Sequence, residues 1–156
     1  MNHLSNQVAH LFEDAGFKTG DTVALLMNNR PEYVAIWLGL AKAGIVTALI
    51  NYNLKGEPLR HSIEIVDSKA IIFGADFTDV VDEIREKLSP TTSLFTFDVG
   101  QNTLPSWSKN MDTALAKAPK TPLAGPQRSQ CNDKLLYIYT SGTTGLPKAA
   151  IIRNFR

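Results

Sequence analysis

A doubly wound α/β sheet is the fold this sequence predicts, and three observations predict it. Short, nearly continuous apolar runs of strand length recur along the chain. Amphipathic segments of helical period separate them, joined by short links. Most of the runs are apolar at every position rather than at alternate ones, as strands covered on both faces are. Right-handed crossovers between such strands place helices on both faces of the sheet.

The elements follow in order. Leu4, Val8, Leu11 and Phe12 recur at helical spacing, and Gly16 stops that helix. Residues 18–21 form a turn, and residues 22–27 (TVALLM) the first strand. Asn29 is expected to cap the next helix, with Pro31 in its first turn. That helix covers 33–43 and ends at Gly44, and residues 45–50 form the second strand. Leu59, Ile63 and Val66 mark a helix over 56–66, followed by a strand over 70–73. A helix over 79–88 stops at Ser89-Pro90, and residues 94–97 are again a strand. The pattern changes after Asp98. Pro105, Pro119, Pro122 and Pro126 break up residues 101–130, which read as a surface connection with a short helix around 107–116. Residues 135–139 and 149–152 are the last two strands.

Composition bounds what such a fold does. With 156 residues, 44% of them hydrophobic, the chain is long enough to bury a core. Sixteen Lys and Arg against fifteen Asp and Glu give a net charge of +1, so no broad field draws nucleic acid or anionic membranes. Cys131 is the only cysteine, which excludes an intrachain disulfide and a CxxC site; a buried structural thiol is expected. His3, His10 and His61 are scattered and suggest no metal site. The N-terminus has no signal-peptide pattern. The longest apolar stretch, 34–50, approaches membrane-span length. Lys42 inside it, Gly39 and Gly44, and its β-branched second half argue instead for helix, turn and strand.

Other features take ordinary readings. Tyr33, Trp37 and Phe73 are expected in the core. Asp79, Asp82, Glu83, Arg85, Glu86 and Lys87 are expected on a solvated helix face, and Asn51 and Asn53 in a turn.

Chemistry concentrates in residues 140–148, TSGTTGLPK, between the last two strands. Four hydroxyl side chains, two glycines and one lysine fall within nine residues. Glycines let backbone N–H groups turn inward and a ligand come close. Hydroxyls add donors, and the lysine adds a compact positive charge. Such a set suits a polyphosphate. A plain Ser/Thr/Gly surface hairpin is the alternative on composition alone. The order of residues does not fit a Walker A loop, because Lys148 follows Pro147 and a strand rather than a helix comes next. No GxGxxG fingerprint is present either.

Tyr139-Thr140-Ser141-Gly142-Thr143-Thr144-Gly145-Leu146-Pro147-Lys148 resembles the phosphate-binding signature of the adenylate-forming (AMP-binding) superfamily, which includes acyl-CoA synthetases. Residues 48–61 (ALINYNLKGEPLRH), 21–24, 27–33 and 149–152 resemble the fatty-acid transport proteins, or very-long-chain acyl-CoA synthetases, within it. The resemblance covers nearly the whole chain.

It implies an ATP-dependent long-chain or very-long-chain fatty acid–CoA ligase linked to fatty-acid uptake. Such enzymes form acyl-AMP and then acyl-CoA, using ATP as Mg-ATP and coenzyme A as co-substrate. Thr140, Ser141, Gly142, Thr143, Thr144, Gly145 and Lys148 would hold the β- and γ-phosphates, and Tyr139 would position the loop rather than touch ATP. The resemblance puts the catalytic lysine and the metal ligands in motifs this sequence does not contain. Residues 1–156 would then be part of an adenylation domain, an N-terminal-region fragment inactive alone, without the mobile C-terminal domain and with Met1 internal. Membrane association would come through a segment outside the chain, with a cytosol-facing catalytic domain at the plasma membrane, endoplasmic reticulum or peroxisome. Two alternatives stand beside the ligase: a membrane-associated fatty-acid transporter whose main role is not ligation, and a non-catalytic truncated product. A sheet cut partway exposes apolar faces, so the isolated chain is expected to be poorly soluble or partly folded.

Overall fold

Among the described residues, six parallel strands and one antiparallel edge strand form a single sheet. The structure is a computed structural model that describes residues 1–98, 104–140 and 145–155. The strands are β1 (Thr22–Leu26), β2 (Val46–Leu49), β3 (Ser68–Gly74), β4 (Ser93–Phe97), β5 (Lys109–Asn110), β6 (Lys134–Thr140) and β7 (Lys148–Arg153), and they lie in the order β5-β4-β3-β1-β2-β6-β7. The helices are α1 (Asn2–Asp14), α2 (Pro31–Lys42), α3 (Gly56–Glu64), α4 (Thr78–Arg85) and α5 (Met111–Lys117). β1 and β2 are neighbours; the chain then crosses back past β1 to add β3 and β4 on its other side. That reversal makes the sheet doubly wound, as expected. Among the described strands only β7 runs antiparallel, against β6.

Each face carries its own apolar cluster. Val8 and Phe12 of α1, Ile36 and Leu40 of α2, and Met111 and Leu115 of α5 pack with Val23, Leu25, Ile72 and Phe95 on one face. Leu59 and Ile63 of α3 and Val81 and Ile84 of α4 pack with Ala24, Leu26, Ile71 and Phe73 on the other. Every residue of β1 is buried, which is why its sequence shows no polar alternation. Burying each such Leu, Ile or Phe side chain contributes about 1.5–3 kcal/mol.

Residues 34–50 form helix, turn and strand. Gly44 has φ +75°, and a Cβ there would lie 2.8 Å from the Thr19 hydroxyl oxygen, so the turn needs glycine. Lys42 ends α2 with its ammonium on α1, donating to Asn2 Oδ1, Ser5 Oγ and Asn6 Oδ1, each at 2.7 Å. Among the described residues, no helix is long and apolar enough to cross a membrane.

Several local expectations need correction. Asn29 is not the cap of α2: Arg30 is, with extended φ −152° and ψ 163°. Pro31 at the first helical position forces its predecessor out of the α region, so the cap must directly precede it. The helix expected around 107–116 is α5, which starts at Met111 because the Asn110 side chain caps it, accepting from Thr113 N at 2.9 Å. Trp107 lies before it, stacked on Phe73 at 5.7 Å with Arg85 over its ring. A 3-10 turn, Ala75–Phe77, leads into α4. Cys131 is exposed, not a core thiol. It sits in a turn closed by Asp133 N donating to Gln130 O and Gln130 N donating to Asp133 Oδ2, which leaves its side chain outside the core.

Other readings stand. Phe73 is fully buried, and Tyr33 and Trp37 pack half-buried on the core. Asp79, Asp82 and Glu83 are exposed on α4, with Arg85 paired to Asp82, and Glu86 and Lys87 are exposed in the turn that follows it. Asn51 Oδ1 accepts from Asn53 N at 3.0 Å in a turn after β2.

Candidate functional site

Parallel strands gather their carboxyl ends, and the loops that follow them, along one edge of the sheet. β2 contributes Asn51, Tyr52 and Asn53 to that edge, all exposed. Asn28 after β1 donates to Asp76 Oδ2 after β3 at 3.2 Å. β6 lies beside β2 and delivers Thr140 to the same edge.

The hairpin register closes the loop there. Thr140 pairs with Lys148 across the β6–β7 ladder, and Tyr139 with Ala149. Both Thr140 and Lys148 are exposed. Gly145 is exposed with φ +82°, a conformation that favours glycine. Leu146 and Pro147 are half-buried and bring the chain into β7. Of the seven residues expected at the phosphates, the structure places Thr140, Gly145 and Lys148 at one end of the hairpin. Ser141, Gly142, Thr143 and Thr144 lie outside the described residues.

The electrostatics suit an anion. Lys148 carries a positive charge that no carboxylate of the described residues pairs with. The described residues also hold no cluster of three His, Cys, Asp or Glu side chains able to bind a metal. What Thr140 and Lys148 offer at this end of the hairpin is a hydroxyl and a positive charge.

Tyr139, the last residue before the loop, turns toward α3. Its hydroxyl donates to the backbone oxygen of Ser62 at 2.5 Å. Burial, with a smaller effect of neighbouring Tyr137, pushes the phenol well above its ordinary range, so it stays a protonated donor. Sequence reasoning had no signal for Ser62, because the atom that matters is a carbonyl every residue carries.

A model of the AMP-binding enzyme family matches residues 1–155. The chain belongs to that family. Relatives of this AMP-binding chain include long-chain fatty acid transport protein 1 of Mus musculus, 46% identical across 100% of the chain. A medium/long-chain-fatty-acid–CoA ligase of Mycobacterium tuberculosis is 30% identical across 99% of it. In each case the chain spans 24% of the relative's length. Among solved structures, the anthranilate CoA ligase AuaEII in complex with anthranoyl-AMP superposes with a TM-score of 0.87 at 25% identity, covering 98% of this chain and 29% of that one. The doubly wound sheet is thus the fold of acyl-CoA synthetase N-terminal regions.

Proposed function

We propose that residues 1–156 form part of the adenylation domain of an ATP-dependent fatty acid–CoA ligase acting on long or very long chains. The observation that carries this reading is the register that sets Lys148 opposite Thr140, at the two ends of a loop rich in hydroxyls and glycine. In the first step a fatty-acid carboxylate oxygen attacks the α-phosphorus of ATP, and pyrophosphate leaves with the electrons of the broken P–O bond. In the second, coenzyme A sulfur attacks the acyl carbon, and AMP leaves.

In this reading the work of the chain lies in the first step. Thr140, Ser141, Gly142, Thr143, Thr144 and Gly145 present donors to the β- and γ-phosphates, and Lys148 offsets charge that grows on the departing pyrophosphate. Magnesium bound with ATP would add further positive charge at the phosphates, beside that of Lys148.

The test is ATP–pyrophosphate exchange by the full-length polypeptide, with fatty acids of increasing length. Exchange that depends on fatty acid supports the reading; its absence with every chain length sinks it. The name of the mouse relative favours a second reading, fatty-acid transport without ligation. Uptake by cells that survives Lys148→Ala would support that reading. A native product of 17.1 kDa lacking exchange would leave a non-catalytic remnant.

A further inference from the structure

The carboxyl end of β6 outruns its support. Its ladder with β2 pairs Leu136, Tyr137 and Ile138 with Thr47, Ala48 and Leu49, and stops. Tyr139 and Thr140 continue beyond it, paired only with Ala149 and Lys148 of β7. β7 is the sheet's edge strand among the described residues, so it gives that end no second neighbour. A two-stranded end of this kind is weakly held by its own ladder.

The last turn of α3 has the complementary need. Carbonyls there lack intrahelical partners. His61 O accepts from Ile65 N and Glu64 O from Asp67 N, each at 2.9 Å. Ser62 O accepts from Tyr139 at 2.5 Å, while the Ser62 hydroxyl donates to Pro58 O inside the helix. The Tyr139 ring and Ala149 pack against the α3–α4 cluster.

We propose that Tyr139 is a positioning residue: through the Ser62 carbonyl it holds the carboxyl end of β6 against α3, and so sets where Thr140 and Lys148 stand relative to the nucleotide's phosphates. This rests on the phosphate-site reading above. Tyr137 supplies the internal control. It lies two residues earlier on the same face, is buried, and its hydroxyl oxygen accepts from Lys134 Nζ of its own strand at 3.0 Å. That bond ties β6 to no other element.

The experiment uses the full-length polypeptide and compares Tyr139→Phe, Tyr137→Phe and Tyr139→4-aminophenylalanine, the last restoring an N–H donor at the same place. Tyr139→Phe is expected to raise KM for ATP about five- to tenfold while KM for fatty acid stays within about twofold, the size expected for losing one half-buried hydrogen bond. Amides of residues 138–150 should exchange hydrogen faster in the ligand-free protein. Tyr137→Phe should change neither, and the amino analogue should recover most of the loss. Wild-type ATP affinity and wild-type exchange in Tyr139→Phe would overturn the proposal. So would equal loss in both phenylalanine variants, or a loss spread over both KM values and Tm, which marks a folding role. If the wild type catalyses no ATP–pyrophosphate exchange, the ligase reading falls. The amide-exchange comparison then still decides the tie, and unchanged exchange in Tyr139→Phe overturns it.

Discussion

Lys148 stands directly across the β6–β7 ladder from Thr140, so a positive charge and a hydroxyl meet where the Gly-rich loop begins and ends. An exposed lysine without a carboxylate partner among the described residues adds little to folding. Lys148→Ala should therefore leave unfolding within about 0.5 kcal/mol of wild type. In the full-length polypeptide it should cut the rate of adenylation by roughly 10²–10³-fold, as removal of a preorganised charge-stabilising group does. Pre-steady-state formation of acyl-AMP is the measurement. A variant within threefold of wild type, by roughly the scatter of such assays, would remove Lys148 from the site.

A second close approach governs the fold rather than the site. A Cβ at Gly39 of α2 would lie 2.6 Å from Val8 Cβ and 2.6 Å from the backbone oxygen of Ser5 on α1. No flexible side-chain end lies there to give way, so the helices must separate. Gly39→Ala should destabilise by about 1–3 kcal/mol despite the better helix propensity of alanine. Urea unfolding monitored by circular dichroism reads this directly, and an unchanged midpoint would contradict the helix contact.

Much of this fold was legible because the physics that builds it is local. The five buried positions of β1 are one threonine and four apolar letters, and Pro31 marks the start of α2. The strand–loop–strand setting of residues 134–153 showed in the sequence too. Strand order was not legible: nothing local tells β3 to cross back beside β1 rather than follow β2. β5 is two residues long, too short for any periodicity. Asn110 could be recognised as a cap only once α5 was seen to begin after it. The exposure of Cys131 depends on a turn made by Gln130 and Asp133, whose letters suit many loops. At the site, Tyr139 was visible in the motif, but its partner is a backbone atom and has no letter.

Thr47 carries a buried hydroxyl without a hydrogen-bond partner among the described residues, in the middle of β2 between β1 and β6. An unsatisfied hydroxyl in an apolar setting costs free energy that an isosteric methyl does not. Thr47→Val keeps the β-branched shape that a strand favours. It should raise stability by about 1 kcal/mol or more. A thermal melt comparing the two proteins tests it. A lower Tm in the valine variant would mean the hydroxyl has found a partner in solution, such as a trapped water.

The β6–β7 hairpin shows apolar side chains to solvent on both faces. Ile138 and Ile151 are 45% and 46% exposed, and Phe155 beyond β7 is 57% exposed. Because Ile151 pairs with Tyr137 and Ile138 with Ala150, the two isoleucines lie on opposite faces of the sheet. A free edge with apolar flanks is a template for pairing with another chain. Expressed alone, residues 1–156 should self-associate as concentration rises, by sedimentation velocity. Ile151→Lys puts a charge beside that edge and should shift the distribution toward monomer without changing the far-ultraviolet spectrum. A wild-type chain that stays monomeric at the highest concentration reached would show that the edge is protected, and the covering would then have to come from within residues 1–156.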